Sequence, residues 1–156
     1  MSLTGTFSRT LDEKLRVAIP KEFRDILQLP ATAALFVAPG TDGSLALYTQ
    51  EVFGRMGERL AERSPTRKEV RAFSRLFYAQ ARRVELDRQG RVRIPAELAK
   101  RAGIEKEVIL LGVQDHMELW DRRRWDQWLE SNAEQYDDIA EAAFEGAESK
   151  KGADSN

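Results

Sequence analysis

Residues 11–20 read Leu11-Asp12-Glu13-Lys14-Leu15-Arg16-Val17-Ala18-Ile19-Pro20, and residues 86–95 read Leu86-Asp87-Arg88-Gln89-Gly90-Arg91-Val92-Arg93-Ile94-Pro95. Leu, Asp, Arg, Val, Ile and Pro recur at the same six places, 75 residues apart, and Glu22 and Glu97 extend the match. An internal repeat sets the architecture before any other feature does: one supersecondary unit, present twice. It also puts the chemistry in pairs, because whatever Asp12 and Arg16 do is expected again of Asp87 and Arg91.

Working outward, Thr6 to Leu11 alternates and is rich in β-formers, which predicts a strand. Asp12 to Leu15 is a turn. Arg16 to Ile19 is a second strand with Val17 and Ile19 on one face and Arg16 and Ala18 on the other. Pro20 opens a short helix to Leu27. Ala33–Ala38 and Leu45–Tyr48 are strands around a Pro39–Gly43 turn cluster, and Thr49 caps a helix to about Arg63. The second half retraces this path. Arg83–Leu86 and Arg91–Ile94 flank the Asp87–Gly90 turn, Pro95 opens a helix that Gly103 stops, and Val108–Val113 and Met117–Trp120 complete the strands. Leu45–Tyr48 matches Met117–Trp120 at an offset of 72, which places the three-residue length difference near the Pro39–Gly43 loop. Between the halves a helix runs from Ser64 to about Ala79, with Phe73, Leu76, Phe77 and Gln80 on one stripe.

In Asp87-Arg88-Gln89-Gly90, Asp suits the first position of a type I turn and Gly the last. The Asp side chain can hold the turn's amides and pair with the arginine four residues on, fixing its direction. Arg16 and Arg91 then stand on the outer face, with Arg93 beside Arg91, Lys14 in the first turn and Arg9 in the strand before it. Two such faces about a pseudo-twofold make a basic surface spaced to follow DNA, since a guanidinium bonds bidentately to phosphate or a guanine edge and a two-stranded element enters the major groove. The alternative is that each Asp–Arg pair only stabilises its own turn. Leu15 stands where the second copy has Gly90; if the place needs a positive φ, leucine is strained there by about 1 kcal/mol or more.

The bulk numbers agree with a globular protein: 156 residues, 42% hydrophobic and 33% charged. Without cysteine there is no disulfide and no thiol catalysis. The start lacks the basic and apolar regions of a signal peptide, and no apolar run suits a membrane helix, so a cytoplasmic location without membrane association is expected. The net charge of −1 conceals an asymmetry: residues 130–156 carry eight acids and two lysines, leaving residues 1–129 at +5. A basic body with an acidic tail is compatible with a DNA-binding face, and equally with an ordinary solvated surface.

Other groupings support less. His116 beside Asp115 is the one possible catalytic or metal couple, but with no second histidine a turn role is expected, with no catalytic residues, metal or cofactor. Trp120, Trp125 and Trp128 suit helix packing or a subunit contact better than base stacking. Arg122–Arg124 suits a phosphate contact or a solvated helix start. Glu134, Asp137, Asp138 and Glu141 lack the loop glycine of a calcium site.

Both copies resemble the AbrB-type swapped-hairpin motif. The chain over residues 1–130 resembles the MraZ family, on Leu11–Pro20, Arg71–Phe77, Leu86–Pro95, Val108–Val113 and Met117–Asp121. The resemblance implies a mainly β fold with helices (α+β), in which two half-barrels pack as a pseudo-twofold double-psi-type barrel. The expected division is an AbrB-like repeat over 5–53, a helical connector over 54–80, a second repeat over 81–124, a C-terminal helix over 125–145 and a disordered tail over 146–156. It further implies a transcriptional repressor that binds tandem short repeats in double-stranded promoter DNA upstream of its own cell-division and cell-wall gene cluster. Such a repressor is nucleoid-associated, acts as a homo-oligomeric ring of about eight or more subunits, and has no small-molecule substrate. The family's arginines fall on Arg16 and Arg91 and its acids on Asp12 and Asp87; its turn glycine is kept at Gly90 and lost at Leu15, so the equivalence of the two copies is open. The rival readings are an antitoxin-like protein-interaction module and an enzyme using His116.

Overall fold

The computed structural model describes the backbone of residues 1–154 and the side chains of residues 1–145; the tail expected to be disordered, 146–156, lies outside those described side chains. The first copy supplies β1 (Thr6–Thr10), β2 (Arg16–Ala18), α1 (Lys21–Ile26), β3 (Ala34–Pro39) and β4 (Leu45–Thr49). Two helices follow, α2 (Gln50–Ala61) and α3 (Lys68–Tyr78). The second copy supplies β5 (Arg82–Glu85), β6 (Arg91–Arg93), α4 (Ala96–Arg101), β7 (Glu107–Val113) and β8 (His116–Asp121). Then come α5 (Arg122–Asn132), a 3₁₀ turn at Ala133–Gln135, and α6 (Tyr136–Asp154). Pro20 and Pro95 immediately precede α1 and α4, where a fixed φ aligns the chain and no N–H is missed.

The two copies exchange strands rather than folding side by side. β1 pairs antiparallel with β7 of the second copy, and β5 with β3 of the first. β4 and β8 join the halves, giving a six-stranded sheet in the order β1-β7-β8-β4-β3-β5. Replacing each strand by its counterpart reverses this order and leaves it unchanged, which is the signature of a pseudo-twofold passing between β4 and β8. The same operation exchanges the pairs Leu45–Leu119 and Leu47–Met117. β2 and β6 form a separate two-stranded ribbon. The fold is thus α+β, as expected, with its pairing divided between a six-stranded sheet and a ribbon; a closed ring of strand pairing is not formed among the described residues.

Register corrects where the copies differ in length. Leu35 lies opposite Thr49, and Val108 opposite Asp121. The offset has therefore fallen from 75 to 73 before β3 begins. Two of the three residues are lost after the first helix, at Pro30–Ala33, and one in the following turn, instead of all three near Pro39–Gly43. Both stretches are loops, where length is cheap to change.

Residues Met1–Arg122 form one compact unit. Its main core is drawn evenly from both copies: Val17, Ile19, Phe23, Leu35, Val37, Leu45 and Leu47 from the first, Val92, Ile94, Leu98, Val108, Leu110, Met117 and Leu119 from the second. A second apolar layer, Ala38, Ala46, Tyr48, Val52 and Phe77, joins the sheet to α2 and α3, with Phe53 stacked on Phe36 at 4.3 Å. Thr49 caps α2, its Oγ1 accepting the Val52 N–H at 3.2 Å. The stripe expected along the connecting helix is only partly a core face: Phe77 is buried, while Phe73 and Leu76 are 48% and 63% exposed. The described residues from Arg123 on form a second, helical unit, in which Trp125 and Trp128 stack at 5.4 Å.

Candidate nucleic-acid interface

The ribbon is built on two valines. Val17 of β2 and Val92 of β6 face each other and are fully buried beneath it. Because side chains alternate across a strand, their neighbours must point outward. Arg16 therefore lies opposite Arg93, and Ala18 opposite Arg91. Like charges directly opposed on a sheet are unfavourable, and here the charge of Arg16 is met by Asp12.

The two turns that lead into the ribbon are superimposable in their bonding. Asp12 Oδ1 accepts the N–H groups of Lys14 at 2.9 Å and Arg16 at 2.8 Å, and Asp87 Oδ1 accepts those of Gln89 and Arg91, both at 2.9 Å. The other carboxylate oxygen takes the arginine Nε: 2.6 Å for Arg16 on Asp12, 2.9 Å for Arg91 on Asp87. Arg91 Nη1 also lies 3.7 Å from Asp12, so the clamp of one copy reaches the arginine of the other. The backbone N–H of the arginine above all, with its guanidinium, holds each aspartate below the ordinary carboxylate value of 3.8. Each arginine is thereby fixed through Nε, and Arg91 is approached at Nη1 as well.

The question left by Leu15 is resolved by its backbone: φ is +62° at Leu15 and +75° at Gly90. The first hairpin makes the same left-handed turn with leucine, and the Leu15 side chain packs against the main core. The carbonyls match too, Gly90 accepting from Ile19 N–H at 2.9 Å and Leu15 from Ile94 N–H at 2.8 Å.

Of the residues singled out in the sequence, Arg16, Arg91 and Arg93 share the ribbon's outer face, with Lys14 exposed at the first turn and Asp12, Asp87 and Gly90 shaping the turns. Arg9 is not on the ribbon. It stands on β1 with its guanidinium 5.5 Å from the centre of the Phe7 ring and bonded to the Ser8 carbonyl. Two cations were missed. Arg88 is exposed at the tip of the second turn, where the first turn has Glu13, a contrast visible in the aligned repeats. Arg24 of α1 lies against Gly90, and no sequence signal brings those two positions together.

His116 sits apart from the ribbon, half-buried, with Nδ1 2.9 Å from Asp115 and Nε2 3.9 Å from Glu118, and its ring 5.3 Å from that of Tyr48. The Glu118 carboxylate first, then Asp115, raise its pKa above the ordinary 6.5 against the opposing effect of burial. Among the described residues no cluster of His, Asp and Glu is arranged to hold a metal ion, and no helix is long and apolar enough to cross a membrane.

Known proteins match along nearly the whole chain. The family described as "MraZ protein, putative antitoxin-like" matches twice, over residues 2–76 and 77–146. A protein of Mesoplasma florum named transcriptional regulator MraZ is 34% identical over 94% of this chain and 98% of its own length. Proteins of the same name from Lactiplantibacillus plantarum and Finegoldia magna are 39% and 37% identical, over 88% and 86% of this chain and 94% and 92% of theirs. The duplicated match and the full-length similarity agree with the exchanged repeats described above: the chain belongs to the MraZ family of transcriptional regulators, not to a family of enzymes.

Proposed function

We propose that this protein is a sequence-specific DNA-binding repressor that reads short tandem repeats upstream of its own promoter, in a cell-division and cell-wall gene cluster. It acts in the cytoplasm, on the nucleoid, as a ring of about eight or more subunits. The observation that carries the DNA reading is the β2–β6 ribbon, whose outer face bears Arg16, Arg91 and Arg93 over a floor of buried valines, with two of the three clamped by aspartates. Pre-aimed guanidiniums on a narrow ribbon suit base edges in a major groove, and fixing them before binding lowers the entropy lost on binding. A ring suits tandem boxes, because linked weak contacts raise avidity by about 10² or more when the spacing fits.

The test is binding of the pure protein to its own upstream DNA and to unrelated DNA of equal length, by fluorescence anisotropy at two salt concentrations. Specific binding that weakens with salt, and that Arg16→Ala and Arg91→Ala each reduce by about 5–150-fold, supports the reading. Equal weak binding to both DNAs, unchanged in either variant, refutes it and directs attention to protein partners.

A further inference from the structure

The pseudo-twofold predicts that the two ends of the ribbon carry the same charges, and they do not. At the first-turn end Arg16 faces Arg93. At the second-turn end Arg91 faces Ala18, the counterpart of Arg93. The missing arginine is matched by one from another element. Arg24 of α1 reaches the second turn and lies against Gly90, where an added methyl would stand 2.7 Å from its Cζ and 2.9 Å from Nε and Nη1. Its own counterpart in the second copy, 75 residues on, is Ala99.

Two positions are thus exchanged together. One turn has glycine with an arginine over it; the other has leucine, with alanine at the helix position. If the task were only to cover the turn, an aliphatic chain suffices, as Leu15 shows. A guanidinium in that place brings charge, and its charge is not neutralised: Arg24 donates from Nε to the Ile19 carbonyl at 3.3 Å and makes no ion pair among the described residues. The side chain is half-buried and held at Nε, with its terminal amino groups left over. This is the same arrangement as Arg16 and Arg91, with a backbone carbonyl in place of the aspartate. Because no carboxylate offsets it, the group suits a full negative charge such as a phosphate oxygen.

We propose that Arg24 is a phosphate-contacting residue of the DNA interface, which docks the backbone beside the second turn while Arg91 reads the bases, and that Gly90 is small to let it lie there. The inference rests on the ribbon being the DNA-binding face. It makes the face polar: one end uses two ribbon arginines and the other a ribbon arginine and a helix arginine.

The experiment is a salt series of DNA binding with Arg24→Met, Arg24→Lys, Gly90→Ala and the double variant, with Arg91→Ala alongside and melting temperatures for each. Met keeps the aliphatic cover without the charge. Arg24→Met is expected to weaken binding to specific and unrelated DNA alike, by about 5–10-fold, and to lower the salt slope by about 1, with the melting temperature kept. Arg24→Lys restores most of the affinity. Gly90→Ala weakens binding in the parent and adds nothing in Arg24→Met. Parent-like affinity and slope in Arg24→Met, with binding lost in Arg91→Ala, overturns this inference and leaves the ribbon reading intact. Parent-like binding in Arg91→Ala as well overturns both.

Discussion

Replacing Leu15 by glycine, the residue its counterpart Gly90 has, is expected to destabilise the protein even though the backbone there is left-handed. Three effects compete. Leucine at φ +62° is strained, and glycine would relieve about 1–2 kcal/mol. Against this, glycine widens the unfolded ensemble, costing about 0.5–1 kcal/mol. The partly buried leucine side chain also leaves the edge of the main core; full burial of leucine is worth about 1.5–3 kcal/mol, so roughly two-thirds of it is about 1–2. The net is a loss of about 0.5–1 kcal/mol, or a melting temperature lower by about 2–5 °C for a unit of this size. The turn itself is held by Asp12 and not by Leu15, so DNA affinity should stay within about twofold of the parent. Chemical and thermal denaturation measure the first quantity and anisotropy the second. A melting temperature raised by more than 2 °C would show that strain outweighs packing at this position. A tenfold loss of affinity would show that the two turns are not held alike.

Other expectations follow from single features. Gly112→Ala would place a methyl 2.5 Å from the Thr4 nitrogen and 2.6 Å from the Leu3 carbonyl carbon, both backbone, so a loss of about 1–3 kcal/mol is expected in denaturant titration, together with faster exchange of the Gly112 amide now bonded to Gly5. His116 contributes stability that is full below pH 6.5 and is lost as pH rises through its raised pKa; Asn at this position should flatten that fall, by roughly 1 kcal/mol or less once solvent screening is counted, when melting temperature is followed from pH 6 to 9. Asp12 and Asp87 work the other way: with lowered pKa values their contribution is present above 3.8 and is lost as pH falls through the folded value, so the arginine clamps should persist, by chemical shifts of the arginine Nε, down to about pH 4. Asp87→Asn keeps an oxygen for the turn amides but frees Arg91; binding to unrelated DNA should rise and discrimination fall, and unchanged discrimination in a competition assay would count against pre-aiming by the carboxylate.

Much of the candidate site was legible because its geometry is local. The Asp-x-x-x-Arg clamp spans four residues, the turn fixes its own hydrogen bonds, and alternation along Arg16-Val17-Ala18 and Arg91-Val92-Arg93 decides which side chains are outward. The duplication was legible for the same reason, since identical local chemistry at a fixed offset needs no knowledge of contacts. Arg9 lies on the strand where its sequence puts it, but closeness in sequence to Arg16 does not carry it onto the ribbon, because the chain leaves the sheet between them. Periodicity places Phe73, Leu76 and Phe77 on one stripe of the connecting helix, but it identifies a face and not what covers it: only Phe77 is buried.

The repeat, its turns, its paired arginines and its α+β class are written in the amino-acid order, through interactions between residues no more than a few places apart. Tertiary structure alone decided that the copies exchange strands, that Arg16 meets Arg93 across the ribbon, that leucine is held left-handed by the core behind it, and that Arg24 lies on Gly90. These contacts join positions far apart in the chain: Arg16 and Arg93 are 77 residues apart, Thr6 and Leu111 are 105. Their register is set by burying one shared core, a global condition that no local stretch of the chain contains.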